Sequence, residues 1–125
     1  MRRLILIEYL TLDGVTQAPG HAQEDTQGGF AHGGWSGPHM DDHGRYRHEA
    51  LNTMGALLLG RLTYEIWASY WPTVTDPDDE VARLLNSVPK YVASRTLRDG
   101  SWPGTTVLTD VASDVRELKQ QAGKD

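Results

Sequence analysis

The fold is best predicted from Leu57-Leu58-Leu59-Gly60-Arg61-Leu62-Thr63-Tyr64-Glu65, an apolar run that passes through one glycine into a helical pattern. Ala56 to Leu59 is short, apolar and bounded by glycines, which is typical of a buried strand. Gly60 predicts a tight turn, and residues 61–70 suit a helix with Tyr64 facing inward. A strand that leads through a glycine turn into a helix is the repeating unit of α/β sheets.

Strands and helices continue to alternate on the C-terminal side of this unit. The acidic residues at 76–79 predict the start of a helix, because negative charge is favourable near a helix N-terminus. Lys90 to Ser94 and Thr105 to Leu108 have the composition of strands. Asp110 is a suitable N-cap for a last helix that ends near Gly123. This order favours an α/β fold with a mainly parallel sheet flanked by helices.

On the N-terminal side, a strand is expected from Leu4 to Leu10. The four apolar residues before Glu8 form a continuous run that is typical of a strand covered on both faces. Residues 16–38 are rich in Gly, Gln, His and Pro and predict a long loop, which in a compact domain is usually functional or disordered. A helix is expected to begin near His39 and to end at Gly55.

Composition excludes several classes of function. The chain has 125 residues, 38% hydrophobic and 23% charged, which allows one globular domain. It has no cysteine, so disulfides, thiolate metal sites and cysteine nucleophiles are excluded. The net charge of −5 argues against general nucleic-acid binding. The apolar run near the N-terminus is too short for a signal peptide or a membrane span, so we expect a cytoplasmic protein without a membrane partner.

Polar residues follow two of the predicted strands. Arg61 and Thr63 lie in the first helical turn after Gly60, where free amides attract phosphate. Ser94-Arg95-Thr96 follows the next strand, and its hydroxyls and guanidinium suit a phosphate, including the 2′-phosphate that distinguishes NADP from NAD. Taken alone, each feature is better explained by a plain turn with a surface arginine or by a polar loop. Together they reinforce each other, because ligands bind beyond the carboxyl ends of parallel strands.

Asp41 and Asp42 lie near Trp35 and are candidates for catalysis. A carboxylate at the mouth of an apolar pocket could hold a protonated heterocycle or relay a proton to it. Helix capping alone would also explain two acids in a first turn. His39 and His43 are four residues apart and could share a helix face toward a metal. Solvated histidines are the preferred interpretation, and no metal site is expected.

Several segments resemble, in the same order, the bacterial dihydrofolate reductase-like proteins, which are grouped with the C-terminal reductase domain of the bifunctional riboflavin biosynthesis deaminase-reductase. Each matching segment is weak alone, but the ordered set is fairly specific and covers essentially the whole chain. The resemblance implies a mainly parallel sheet, NADPH lying across the strand ends, and hydride transfer to a pterin- or pyrimidine-type substrate. The matching segments are Met1–Val15, Gly28–Trp35, Leu59–Trp67, Tyr70–Pro72 and Asn86–Leu97.

The resemblance also assigns cofactor-binding residues. Gly60, Arg61 and Thr63 match the first cofactor-phosphate turn. Ser94-Arg95-Thr96 matches the loop that holds the adenosine phosphate, and Asp13-Gly14-Val15 matches the mobile loop near the nicotinamide. The implied cofactor is therefore NADPH.

The same resemblance implies substrate contacts and a departure from the family. Asp41 or Asp42 falls near the acidic position that holds the substrate, and Trp35 and Tyr64 are expected to contact it. Family members continue beyond a segment like residues 123–125 into further strands, so we expect residues 1–125 to form one domain that lacks its C-terminal strands, about the N-terminal two-thirds. A small-molecule substrate and a homodimer that completes the fold are expected. A non-catalytic nucleotide-binding module or an inactive truncated fragment is the alternative.

Overall fold

The computed structural model describes residues 1–39 and 49–125 and contains a parallel sheet. Within these residues the strands are β1, Leu57–Gly60, β2, Lys90–Ala93, and β3, Thr105–Leu108. The helices that accompany them are α1, Arg61–Tyr70, α2, Glu80–Ser87, and α3, Val111–Gln120, and residues 49–53 are also helical.

The order and direction of the strands confirm the predicted α/β class. The strands lie in the order β1-β2-β3, and both neighbouring pairs are parallel. Helices α1 and α2 lie in the connection from β1 to β2, whereas residues 94–104 connect β2 to β3 without a helix. The expected strand ends differ from the observed ones by one residue at β1 and β2, whereas β3 spans the predicted residues.

Side-chain caps set the beginning of two helices. The Asp79 carboxylate accepts a hydrogen bond from the Ala82 amide at 2.9 Å and fixes the start of α2. Asp110, the predicted N-cap, accepts from the Ser113 amide at 3.3 Å at the start of α3. The α3 helix ends at Gln120, so the expectation that Gly123 ends it is wrong. Within residues 1–39 and 49–125, no helix has the length and apolar character that crossing a bilayer requires.

The apolar core lies on one face of the sheet. Leu59 of β1 and Val92 of β2 are paired in register and are both buried. Tyr64 from α1 and Leu85 from α2 pack against them, together with Trp102 from the segment before β3. Helices α1 and α2 therefore cover the same face, and burial of large side chains holds them there.

A buried lysine was not predicted from the sequence. Lys90 is fully buried, and its ammonium donates to the Asn86 carbonyl at 2.8 Å and to the Pro103 carbonyl at 3.1 Å. It also lies 4.6 Å from the Trp102 ring centre, where a cation–π contact is favourable. Burial lowers the pKa of Lys90, because desolvation disfavours the charged form. The carbonyls and the ring compensate part of that cost.

The predicted strand from Leu4 to Leu10 is absent, so that prediction is wrong. Residues 1–12 form neither helix nor strand in the structure, and Leu6 is 87% exposed. The Arg2 amide donates to the Lys119 carbonyl at 2.8 Å, which ties the start of the segment to the end of α3. A strand is stabilised by pairing with a neighbour, and the three-stranded sheet contains no ladder with this segment. Apolar composition alone does not create a strand.

The chain divides into two units, Met1–Leu4 with Ala50–Asp125 and, separately, Ile5–Glu49. The described part of the second unit confirms the predicted long loop, with short 3-10 turns at Gln27–Gly29 and Gly37–His39. Its loop is held by specific bonds, such as that from the Trp35 indole to the Gln17 carbonyl at 2.9 Å. That residues 1–125 act as one domain stays a prediction.

Candidate functional site

The carboxyl ends of the three strands lie at one edge of the sheet. The register pairs Gly60 with Ala93, and Ala93 with Leu108. Neighbouring strands lie about 4.8 Å apart. The turn after β1 and the loop after β2 are therefore adjacent, and the structure brings together the two phosphate-binding features predicted separately.

Helix α1 begins at this edge without a side-chain cap. Gly60 is its N-cap residue, with φ −74° and ψ 160°, a conformation that any residue adopts. A Cβ added to Gly60 would meet no atom of the described residues within 4 Å. Asp79 and Asp110, by contrast, cap α2 and α3. Neither backbone nor packing requires this glycine, and its missing side chain leaves the first-turn amides open to an external anion.

Arg61 and Thr63 occupy this first turn. The Arg61 guanidinium lies 2.9 and 2.7 Å from the two carboxylate oxygens of Glu65, one helical turn later. The two side chains are 41% and 45% exposed, so their ion pair is worth only about 0.3–0.5 kcal/mol. A phosphate could compete for Arg61 at little cost. Thr63 is exposed beside it.

The loop after β2 is a tight turn built around Ser94. The Ser94 hydroxyl oxygen accepts from the Thr96 amide at 3.2 Å and from the Leu97 amide at 2.9 Å. Arg95 is exposed at the tip, and its guanidinium has no hydrogen bond or ion pair within residues 1–39 and 49–125. Ser94 thus shapes the turn, while Arg95 is a cation without a partner in the part of the chain that the structure describes.

A depression of about 240 Å³ opens beside this loop. Its apolar side chains come from the ends of β2 and β3 and from the start of α3, and its polar groups come from the two loops. The part contributed by β3 was not predicted from the sequence, although its position after a strand end was an available signal. The lining residues are Ala93, Ser94, Arg95, Leu108, Thr109 and Val111.

Comparison with known proteins identifies the family. The chain matches the RibD C-terminal domain over residues 2–123. The chain belongs to this family. It is also 34% identical over 77 residues to the uncharacterized protein YyaP of Bacillus subtilis, an alignment that covers 60% of this chain and 41% of YyaP. The match thus spans about two fifths of the length of that relative.

The RibD C-terminal domain family consists of dihydrofolate reductase-like reductases, which generally bind NADPH. The resemblance inferred from the ordered motifs is therefore confirmed. The described residues fit the phosphate-bearing end of that cofactor: α1 offers open amides, and Arg95 offers an unpaired cation. The depression is smaller than the roughly 300–1,000 Å³ of sites that enclose a whole ligand. It therefore suits only one end of a dinucleotide.

The predicted nicotinamide loop forms a defined turn within the second unit. The Thr11 hydroxyl donates to the Asp13 carboxylate at 2.7 Å and accepts from the Val15 amide at 2.7 Å. The hydrogen bond from Thr11 lowers the pKa of Asp13. Gly14 has φ +94°, a conformation that strongly favours glycine. The turn is well built, and its role beside the nicotinamide stays a prediction.

The predicted substrate residues have different environments. Tyr64 is 2% exposed, and its hydroxyl accepts from the Trp102 amide at 2.9 Å and from the Thr105 hydroxyl at 3.3 Å. Its surroundings are those of a core residue, so the structure adds no support for substrate contact. Trp35 is partly buried in the second unit. Asp41 and Asp42 lie outside the described residues.

Histidine as a metal ligand gains no support from the residues that the structure describes. No group of three or more His, Cys, Asp or Glu residues in residues 1–39 and 49–125 could hold a metal ion. His43, one member of the pair with four-residue spacing, lies outside these residues. The expectation that the protein has no metal site stays a prediction.

Proposed function

We propose that this protein is an NADPH-dependent reductase that transfers a hydride to a pterin- or pyrimidine-type substrate. The observation that carries the proposal is the adjacency of two anion-binding features at the ends of neighbouring strands: the start of α1, which has no side-chain cap, and Arg95, which has no partner among the described residues. A dinucleotide with a 2′-phosphate carries anionic groups at both positions. Membership of a reductase family supports the same assignment.

The described residues would bind and orient the cofactor. The open amides of the first α1 turn and the Arg61 guanidinium would hold the pyrophosphate, and Arg95 with the Thr96 hydroxyl would hold the 2′-phosphate. The apolar floor formed by Leu108 and Val111 would exclude water from one side of the adenosine. The bound nicotinamide would supply the hydride.

The proposal also assigns residues that contact the substrate and the nicotinamide. Asp41 or Asp42 would hold the substrate or deliver its proton, with Trp35 as a wall of the pocket and Asp13-Gly14-Val15 near the nicotinamide. These roles come from the family resemblance. A small molecule is the expected partner, with no role for nucleic acid or membranes, and assembly as a homodimer in the cytoplasm is part of the same proposal.

A non-catalytic nucleotide-binding module is the second candidate. It is favoured by the fact that the features assembled at the sheet edge, the open start of α1 and the Arg95 guanidinium, both bind anions and neither supplies a hydride. Turnover separates the two candidates. Oxidation of NADPH in the presence of dihydrofolate or another C=N or C=O substrate supports the reductase, whereas saturable cofactor binding without turnover of any of them supports the module.

Gly60→Asp tests the first phosphate turn directly. Because a Cβ at Gly60 meets open space and Asp is a good N-cap, stability should stay within a few tenths of a kcal/mol of the wild-type value. The new carboxylate would occupy the open amides and repel phosphate, so NADPH and NADH should both bind at least about tenfold more weakly. Gly60→Ala is the matched control and should retain most of the binding. Equal cofactor affinity in wild type and Gly60→Asp would mean that this turn does not bind the cofactor.

A further inference from the structure

The loop after β2 uses most of its backbone amides within the protein. The Ser94 amide donates to the Leu108 carbonyl of β3 at 3.2 Å, where the parallel pairing of the two strands ends. The Thr96 and Leu97 amides donate to the Ser94 hydroxyl oxygen at 3.2 and 2.9 Å. These three amides are therefore not available to an anion, in contrast to the open amides at the start of α1. An anion at this loop has to be held mainly by side chains.

The side chains at the tip of the loop lie between two fixed residues. Ser94 is held by β3, and Leu97 packs against the apolar core. Arg95 and Thr96, between them, are exposed. The bond from the Leu97 amide to the Ser94 hydroxyl oxygen joins the two fixed residues and closes a four-residue turn. The direction in which the tip points therefore depends on this hydroxyl.

The Ser94 hydroxyl is surrounded by groups of its own turn. A hydroxyl oxygen has two acceptor lone pairs, and the amides of Thr96 and Leu97 occupy both. The Thr96 hydroxyl lies 3.5 Å away and is a neighbour for the Ser94 proton. The Arg95 guanidinium, by contrast, has no hydrogen bond or ion pair among the residues that the structure describes. Ser94 therefore belongs to the frame of the turn, and Arg95 is the group that the turn presents.

We propose that Ser94 is a positioning residue for selectivity toward the 2′-phosphate: its hydroxyl holds the turn that presents Arg95 and Thr96, and it does not contact the phosphate. This inference rests on the proposed function, because the 2′-phosphate is the group to which the turn presents these side chains. A tip that samples several orientations binds with an affinity reduced by the fraction of time spent in the competent one. Without the two bonds to Ser94, selectivity should fall about threefold to tenfold, the factor for roughly one net hydrogen bond.

Titration of NADPH and of NADH into wild type and Ser94→Ala measures this effect. The ratio of NADPH to NADH affinity should fall by about that factor, whereas NADH, which has no 2′-phosphate, should bind as it does to wild type. Ser94→Ala keeps the backbone bond to Leu108 and the packing of Leu97, so the strand end should stay folded. Ser94→Thr retains the hydroxyl and should restore the ratio.

Ser87→Ala is the matched control. It removes a serine hydroxyl that donates to the Leu84 carbonyl at 2.8 Å within α2 and that does not line the depression beside the loop. The ratio of affinities should be that of wild type. An equal fall in Ser87→Ala and Ser94→Ala would overturn the positioning role, because the effect would then not depend on the turn.

A further set of variants separates positioning from direct contact. Arg95→Ala combined with Thr96→Ala removes both side chains that the turn presents. If Ser94 acts through them, adding Ser94→Ala to this background should leave the ratio of affinities unchanged, because coupled residues do not contribute additively. A further fall in the ratio would mean that Ser94 itself contacts the phosphate and would overturn the proposal.

Amide hydrogen exchange of the cofactor-free chain tests the turn independently of binding. The Thr96 and Leu97 amides should exchange faster in Ser94→Ala than in wild type and should regain protection in Ser94→Thr; unchanged exchange would overturn the proposal. The titrations identify which idea fails. A wild type without preference for NADPH contradicts the proposed 2′-phosphate site and, with it, this inference. A selective wild type whose ratio is unchanged by Ser94→Ala contradicts positioning by Ser94 alone.

Discussion

Arg95→Ala should reduce the preference for NADPH over NADH. Arg95 is exposed and has no partner within the described residues, so no internal ion pair has to break when it binds phosphate. A hydrogen bond to a charged group is worth about 1.5–3 kcal/mol. Because the loop tip is open to solvent, the lower end of that range applies. We therefore expect the ratio of NADPH to NADH affinity to fall about tenfold.

The assay is equilibrium titration of each cofactor, followed by tryptophan fluorescence, with wild type and variant at the same ionic strength. Arg98→Ala is the matched control, because Arg98 is exposed in the same loop but does not line the depression. NADH affinity should change little in Arg95→Ala, since NADH has no 2′-phosphate. If the ratio of affinities is unchanged, or if Arg98→Ala changes it equally, the 2′-phosphate is not held by Arg95.

The remaining predictions concern binding and stability. Arg61→Ala should weaken NADPH and NADH by the same factor, since both carry the pyrophosphate; a changed ratio in the same titration would contradict this. Asp79→Ala removes the acceptor for the Ala82 amide and should lower the free energy of urea unfolding by about 1 kcal/mol; no change would mean that the cap is not formed. Burial lowers the pKa of Lys90 from 10.5, so below that pH the unfolded chain binds more protons and stability should rise as the pH increases toward it. Urea unfolding over a series of pH values up to 10.5 should show this rise in wild type and less of it in Lys90→Met, and identical slopes would refute the prediction.

The sequence predicted those elements whose stabilising contacts lie within a few residues along the chain. Leu57 to Glu65 specifies a strand, a turn and a helix, and its Leu59 and Tyr64 side chains both face the core, so local propensity and packing agree. Asp110 predicted the start of α3 because the capping interaction lies within a few residues of sequence. The adjacency of Gly60 and Ala93 followed from the general geometry of parallel strands, which made the site at the strand ends predictable.

Features that depend on distant partners were not predictable. The segment from Leu4 to Leu10 has the composition of a strand, but pairing depends on an edge that lies far away in sequence. Lys90 was placed in a strand, yet its burial depends on the carbonyls of Asn86 and Pro103 and on a tryptophan ring. Tyr64 was expected near the substrate because the family resemblance places it there. Instead, the Trp102 amide and the Thr105 hydroxyl donate hydrogen bonds to its hydroxyl oxygen.

Titration of the wild-type chain with NADPH and with NADH would show whether the carboxyl edge of the sheet binds the cofactor. We expect saturable quenching of tryptophan fluorescence with clear selectivity for NADPH, because the sheet edge offers an open helix N-terminus and Arg95, which has no partner within the described residues. Saturable binding without selectivity would support pyrophosphate binding at the first turn of α1 but would contradict 2′-phosphate binding by Arg95. No saturable binding of either cofactor would contradict the proposed site.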